Sequence, residues 1–264
     1  MKKLVLVILE LMRAQMLPAC LILFITDGKN ILVANHEDWY AEDAEISFVP
    51  AAKNKLGMVY FDFASEGTAQ GGMNTAGLFF DGTATPRAAY PSNQSKKDCH
   101  CYIWKKILEE CSTVDQAIKL VEQYRIPEME RIHVLFADSL GNAAIIGVFN
   151  GQLQVHRNNS RYQLLTNFNI TNPSFGGESV CRRFTTAENM LKQDSSVTVE
   201  NLKKILSKTH QEKLTVYSNI YDLSKREVYV YSKLNFNKTI KIQLLEELKK
   251  GKHSVLIKDF FKRK

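Results

Sequence analysis

Residues 16–40 read MLPACLILFITDGKNILVANHEDWY. Two apolar runs, CLILFIT and ILVANH, flank the turn signal DGKN, the pattern of a β-hairpin. Most positions in both runs are apolar, without the alternation of a half-exposed strand, and strands of that kind are buried on both faces. The hairpin therefore predicts a sheet lying between two other layers. Its ends carry the chemistry: a cysteine directly after an alanine at one, and the polar run Asn35–Asp38 at the other.

Upstream, Lys2 and Lys3 precede the apolar stretch LVLVIL, and LPA ends just before Cys20. A basic start, a short apolar core and a small-residue cleavage site describe an export leader. Glu10 and Arg13 break the apolar run, which is too short to cross a bilayer as a helix. The expectation is loss of residues 1–19 and delivery of the rest to the periplasm or the medium. A chain that kept this segment, or merely cleaved itself, would be cytoplasmic. LPAC also resembles a lipobox, in which Cys20 would carry lipid and the membrane would become a partner.

Beyond Cys20 no linker, repeat or compositional shift interrupts the chain, so residues 20–264 read as one domain. EISFVPAA with GMVYFDFA, and the two halves of QGGMNTAGLFFDG, continue the strands. YIWKKILEEC sets Ile103, Trp104, Ile107, Leu108 and Cys111 on one helical face, and STVDQAIKLVEQYR opens with a capping box from Ser112 to Asp115. Strands return in HVLFADS, AAIIGVF and LQVHR. Phe184, Ala187, Met190 and Leu191 mark a third helix, and Leu202, Ile205 and Leu206 a fourth. The hairpin of TVYSNIYDL with REVYVYSKL follows, then a final strand or short helix. Strand groups separated by helix pairs suit sheets with helices packed outside them.

With 264 residues, 45% hydrophobic and 24% charged, the chain is of ordinary globular composition and long enough for a sizeable core. Its net charge of +7 comes from scattered lysines and the tail KDFFKRK, without an arginine-rich stripe between aromatics, so nucleic acid is not an expected partner. Five cysteines without regular spacing argue against a disulfide framework and leave at least one thiol free. DCHCYIW groups Cys99, His100 and Cys101, yet structural zinc wants a second ligand pair and none exists. The expectation there is a helix start that buries one cysteine. No G-x-S-x-G elbow, P-loop, dinucleotide fingerprint or H-E-x-x-H occurs. GTAQGG and FDGTATP read as turns lining a cleft, and Asn74 as a turn residue tolerating positive φ.

A cysteine that heads its chain gains a base. The α-amine has a pKa of about 7.7–8.0, close to ambient pH, and so can take the proton of its own thiol. Such a site needs a carboxylate to orient the amine and donors for the oxyanion formed when an amide is attacked.

The segments AC…DGKNILVANHEDW, QGGMNTAGLFFDGTATP, LLTNFN and CRRF, in this order, resemble the linear-amide hydrolases of the N-terminal-nucleophile (Ntn) superfamily. These include penicillin V acylases, choloylglycine (bile-salt) hydrolases and isopenicillin-N acyltransferase relatives. The closing hairpin is similar to that group's end as well. The resemblance implies an α+β fold, a four-layer αββα sandwich of antiparallel sheets. It also implies hydrolysis of a non-peptide C–N bond through a thioester, with acyl transfer as a variant, and no cofactor or metal.

Position by position, it implies that Cys20 is nucleophile and base and that Asp38 holds the amine and thiol. Asn167 would supply the side-chain oxyanion donor, the Ala84 N–H the backbone donor, and Arg183 the site arginine, with Arg182 its rival. Asn35 stands where the usual pattern Arg-Asn-x-Asp has arginine, as in a subgroup with NNEDW; the departure removes a cation near the thiol and disfavours bile salts. Penicillin V, acylated amino acids and acyl-homoserine lactones are the other substrates such a family offers, and homo-oligomers are common in it. Two rival readings keep the same residues: a lipid-anchored binding module without catalysis, and a Cys–His peptidase that needs His36 or His133.

Overall fold

The computed structural model describes residues 20–90, 96–99, 101–170 and 181–262. The expected leader, residues 1–19, and His100 lie outside them. Sixteen strands run β1 Leu21–Thr26, β2 Ile31–Asp38, β3 Ala44–Val49, β4 Met58–Phe63, β5 Gly71–Asn74, β6 Phe79–Ala84, β7 Lys97–Asp98 and β8 Tyr124–Arg125, then β9 Ile132–Ala137, β10 Ala143–Phe149, β11 Gln152–Arg157, β12 Tyr162–Leu165, β13 Thr215–Asp222, β14 Glu227–Ser232, β15 Ile240–Gln243 and β16 His253–Leu256. The principal helices are α1 Ile103–Glu110, α2 Val114–Gln123, α3 Arg182–Gln193 and α4 Val199–Thr209.

Two antiparallel sheets carry the fold. One has six strands in the order β12-β1-β2-β13-β14-β15, and the other eight, β11-β10-β9-β6-β5-β4-β3-β16. Between them lies an apolar layer that includes Ile22, Phe24, Val33, Phe61, Phe79 and Tyr221. Phe61 stacks on Tyr217 across it, with ring centroids 5.2 Å apart. α1 and α2 cover the outer face of the larger sheet through Trp104, Ile107, Leu108 and Ile118. α3 and α4 cover the smaller one through Phe184, Leu191, Leu202 and Ile205. The arrangement is the four-layer αββα sandwich that the resemblance implied, with the hairpin's sheet buried on both faces.

The Asp27–Asn30 turn closes that hairpin. Asp27 Oδ1 accepts the N–H groups of Lys29 and Asn30 at 2.9 and 2.7 Å, and Gly28 adopts φ 85°, open to glycine at no steric cost.

Three expectations need correction. The cap of α2 is Thr113, whose side chain accepts from the Gln116 N–H, whereas Ser112 lies one residue outside. Asn74 does not take positive φ; Gly77 does, at 82°. Asn74 is instead a buried clamp. Its Oδ1 accepts from Ala76 and Leu78 N–H, and its Nδ2 donates to the Leu108 and Cys111 carbonyls, tying the β5–β6 turn to the end of α1. Cys99 and Cys101 form a disulfide with each other, and the cysteine that α1 buries is Cys111 at its far end. The two Cα atoms are only 5.1 Å apart, a proximity that the helix-start reading overlooked.

Candidate active site

Pairing of β1 with β2 sets Leu21 opposite His36 and Ile22 opposite Asn35, so one further step sets Cys20 opposite Glu37. Strand alternation then sorts the polar run. Asn35 and Glu37 share the inter-sheet face with Cys20, and His36 faces α4. Cys20 Sγ donates to Glu37 Oε1 at 3.5 Å. The His36 ring is engaged at both nitrogens, Nδ1 with Ser218 Oγ at 2.8 Å and Nε2 with Thr209 Oγ1 at 3.0 Å. Burial lowers its pKa to about 3, with Arg183 and His210 adding to the effect. His133 is buried beneath Gly147, where any Cβ would strike its ring, and burial lowers its pKa to about 4. The Cys–His reading finds no support in this geometry.

Asp38, at the end of β2, is fully buried and accepts three side-chain donors. Thr215 Oγ1 donates to Oδ1, and Gln211 Nε2 at 2.9 Å and Arg183 NH1 at 3.1 Å donate to Oδ2. A bulge between Thr215 and Tyr217 lets β13 deliver the first of these. Burial raises the Asp38 pKa to about 6 against the pull of Thr215, Arg183 and Gln211. The other guanidinium nitrogen of Arg183 donates to Asn167 Oδ1 at 3.1 Å, and Asn167 Nδ2 donates to the Ala84 carbonyl at 2.8 Å. Asp38, Arg183, Asn167 and Ala84 are thus one connected chain reaching from the helix layer to the far sheet. Arg182, the rival, is exposed.

Ala84 owes its position to the early end of β5, whose last partner on β6 is Asp81. The Thr85 N–H bonds the Arg131 carbonyl at 2.7 Å, so in an alternating ladder the N–H of Ala84 turns away from β9. It faces the side on which β5 has stopped. An amide nitrogen carries two hydrogens, so Asn167 keeps one beyond its bond to Ala84.

Two residues missed by sequence reasoning complete the surroundings of the thiol. Glu37 and Asp81 are both buried between the sheets. Asp81 Oδ1 accepts from the Gly82 N–H at 2.6 Å, and Gly71 leaves room for its carboxyl, which a Cβ there would meet at 2.7 Å. Asn35 donates to Asp81 as well. Burial, then the Asp81 charge, raises the Glu37 pKa, and burial raises that of Asp81. Burial also raises the Cys20 pKa, reinforced by Glu37, Asp38 and Asp81 and opposed by the Asp38 N–H. In the continuous chain the thiol is protonated near neutral pH and requires a base. The hairpin pairing was the signal for Glu37, since DGKN fixes which residue lies opposite Cys20. Asp81 had no comparable signal.

A cavity of about 330 Å³ opens on Cys20, with Phe80, Trp104, Ile132 and Val134 as apolar walls and Trp39, Tyr102 and Ala84 around it. Thr68 and Gln70, from the GTAQGG loop, also line it, as do Gly82 and Thr83, which lie on β6 and not in the turn expected of FDGTATP. A second cavity of about 600 Å³ shares Trp39 and includes Thr215, Lys213 and Lys233. Among the described residues no His, Cys, Asp and Glu group has the makings of a metal site.

The model of the family described as "Acyl-coenzyme A:6-aminopenicillanic acid acyl-transferase" matches residues 26–248. The chain belongs to this family. The match to the acyl-transferase family begins at the last residue of β1 and takes in Asn35, Asp38, Ala84, Asn167 and Arg183. No curated protein sequence matches the chain. Among solved structures, penicillin V acylase from Agrobacterium tumefaciens superposes with a TM-score of 0.67 at 17% identity, covering 86% of each chain. A mutant of conjugated bile acid hydrolase from Clostridium perfringens gives 0.67 at 18% identity, covering 90% of this chain and 96% of that one. A Caenorhabditis elegans ortholog of N-acylethanolamine-hydrolyzing acid amidase gives 0.59 at 14%, covering 78% and 93%. Membership of the acyl-transferase family and the shared αββα fold put the chain in the Ntn superfamily, among acylases and amidases.

Proposed function

We propose that the chain hydrolyses linear, non-peptide C–N amide bonds with Cys20 as its N-terminal nucleophile, once residues 1–19 are removed. The observation that carries this reading is the chain of contacts from Asp38 through Arg183 and Asn167 to Ala84, set beside a cysteine at the head of β1.

The Cys20 thiol attacks the acyl carbon while the freed α-amine takes its proton. That amine, held by Asp38, also places a positive charge among carboxylates that otherwise oppose a thiolate. The tetrahedral oxyanion accepts from the second Asn167 hydrogen and the Ala84 N–H. Collapse breaks the C–N bond, and the α-ammonium returns its proton to the departing amine. Water, deprotonated by the same α-amine, then cleaves the thioester to release the acid and restore the thiol. An amine acceptor in place of water gives acyl transfer. The apolar walls suit an uncharged acyl group, since among the described residues no Lys, Arg or His lines the 330 Å³ cavity. Export to the periplasm or medium, where residues 1–19 would be lost, belongs to the same reading.

The test is intact-mass and N-terminal analysis of the protein from its source, followed by a panel of acyl amides. The expected mature chain starts at Cys20 with a free amine and turns over at least one neutral acyl amide. A start upstream, a diacylglyceryl mass, or amidase activity surviving Cys20→Ala overturns it.

A further inference from the structure

The mechanism above leaves unused one side chain that touches the sulfur. We propose that Glu37 acts as a neutral carboxylic acid, donating a hydrogen bond to the Cys20 sulfur as it becomes negative, in place of the cation that the usual family pattern puts at Asn35. This role rests on Cys20 being the nucleophile.

Three observations support it. Glu37 lies directly across the hairpin from Cys20, with Oε1 3.5 Å from Sγ, close enough for a carboxyl rotation to exchange accepting for donating. Its Oε2 is buried and has no hydrogen-bond partner among the described residues. In the continuous chain the described groups facing it are acidic or neutral: Cys20 from β1, Asp38 beside it on β2, Asp81 from β6, Glu66 from the β4–β5 loop, and Tyr217 and Tyr221 from β13; in the mature chain the Cys20 α-amine, held by Asp38, joins them. The nearby cation, Arg183 of α3, bonds Asp38 and Asn167. An ionised Glu37 would add a further negative charge where a thiolate must form, so the neutral form is the competent one. Burial and Asp81 both favour that form by raising its pKa.

The sign of the pH effect follows. Below its raised pKa, Glu37 is protonated and donates to sulfur. Above it, the donor is lost and a repelling charge appears, which gives the enzyme an alkaline limit. Glutamine offers a permanent N–H donor of the same shape, and leucine offers none.

Mature wild type, Glu37→Gln and Glu37→Leu are compared by the pH profile of kcat/KM and by the iodoacetamide alkylation rate at Cys20, read by peptide mass spectrometry. Glu37→Gln should stay within about threefold of wild type at pH 6, move the alkaline limb up by about one pH unit or more, and alkylate about fivefold faster near pH 8.5. Glu37→Leu should lose about tenfold in both measures at pH 6, where the wild type still donates. An unmoved alkaline limb, alkylation of Glu37→Gln no faster than wild type, or equal behaviour of the two variants overturns the proposal. Alkylation needs no amide substrate, so this result is independent of whether Cys20→Ala abolishes turnover, which tests the enzyme reading itself.

Discussion

Asp38 and Arg183 meet across two layers, the carboxylate at the end of a strand in the six-stranded sheet and the guanidinium in the first turn of the helix outside it, 3.1 Å apart. The carboxylate is fully buried and the arginine side chain only 15% exposed, so the pair is shielded from solvent screening. Arg183→Ala would leave the Asp38 charge with two neutral donors and release Asn167 Oδ1. Urea denaturation should show a loss of about 3–5 kcal/mol. Arg183→Lys should recover part of it, because one ammonium lacks the fork that serves Asp38 and Asn167 together.

Asp38 makes stability and activity respond to pH in opposite directions. Its pKa rises from 3.8 to about 6 in the folded, continuous chain. The stabilisation linked to a raised carboxyl pKa is complete below the unfolded value and is lost as pH climbs through the folded one. Against Asp38→Asn, which stays neutral, the unfolding free energy of the wild type should decline by up to about 3 kcal/mol between pH 4 and 7. Turnover needs the ionised form, so kcat/KM should fall as pH drops through about 6 or below, the freed amine pulling the limb lower.

The two oxyanion donors can be removed separately. Asn167→Ala should lower kcat by about 10²–10³-fold with a small change in KM. Ala84→Pro removes the N–H and puts a ring in its place, on a side where β6 has no strand neighbour among the described residues, so the ladder with β9 should be kept. A comparable fall in kcat for Ala84→Pro, with unchanged thermal unfolding, identifies that N–H as the second donor; full activity removes it from the mechanism.

Asn74 answers a structural question. Asn74→Ala strands two carbonyls at the end of α1 and two N–H groups in the β5–β6 turn. Denaturant unfolding should register a loss of about 3–5 kcal/mol, roughly a buried unsatisfied group at each end plus the bonds themselves. A loss below about 1 kcal/mol would show that the turn relaxes without it.

The layers and most of the site were legible in the sequence, for a physical reason. Apolar runs such as LILFIT report burial on both faces, and helical spacing in YIWKKILEEC reports a covering layer, so sheets with helices outside them follow from local pattern, while the four-layer order came with the family resemblance. Asp38, Asn167 and Arg183 stood in motifs that a family resemblance could locate, and the structure brings them together. What the motifs omit is set by three-dimensional neighbours. Asp81 reaches the thiol region from a different sheet, Thr215 reaches Asp38 at a strand bulge, and Gln211 reaches it from the turn between α4 and β13. Asn74 looked like a turn residue because its composition signals a turn, and two of its four side-chain bonds are in that turn, but the other two reach the end of a helix 34 and 37 residues away. Cys99 and Cys101 were read as separate for want of a geometric test.

The exposed loop between β1 and β2 has a duty unrelated to its own chemistry. Its four residues keep Asn35 and Glu37 in step with the thiol and His36 out of step. Adding or deleting one residue there would rotate the whole of β2 by half a pleat, offering Cys20 an imidazole and burying an amide and an acid, Asn35 and Glu37, under a helix. The spacing of a solvent-facing segment is therefore under as strict a constraint as any catalytic side chain, although substitutions within it that preserve the bend should pass unnoticed.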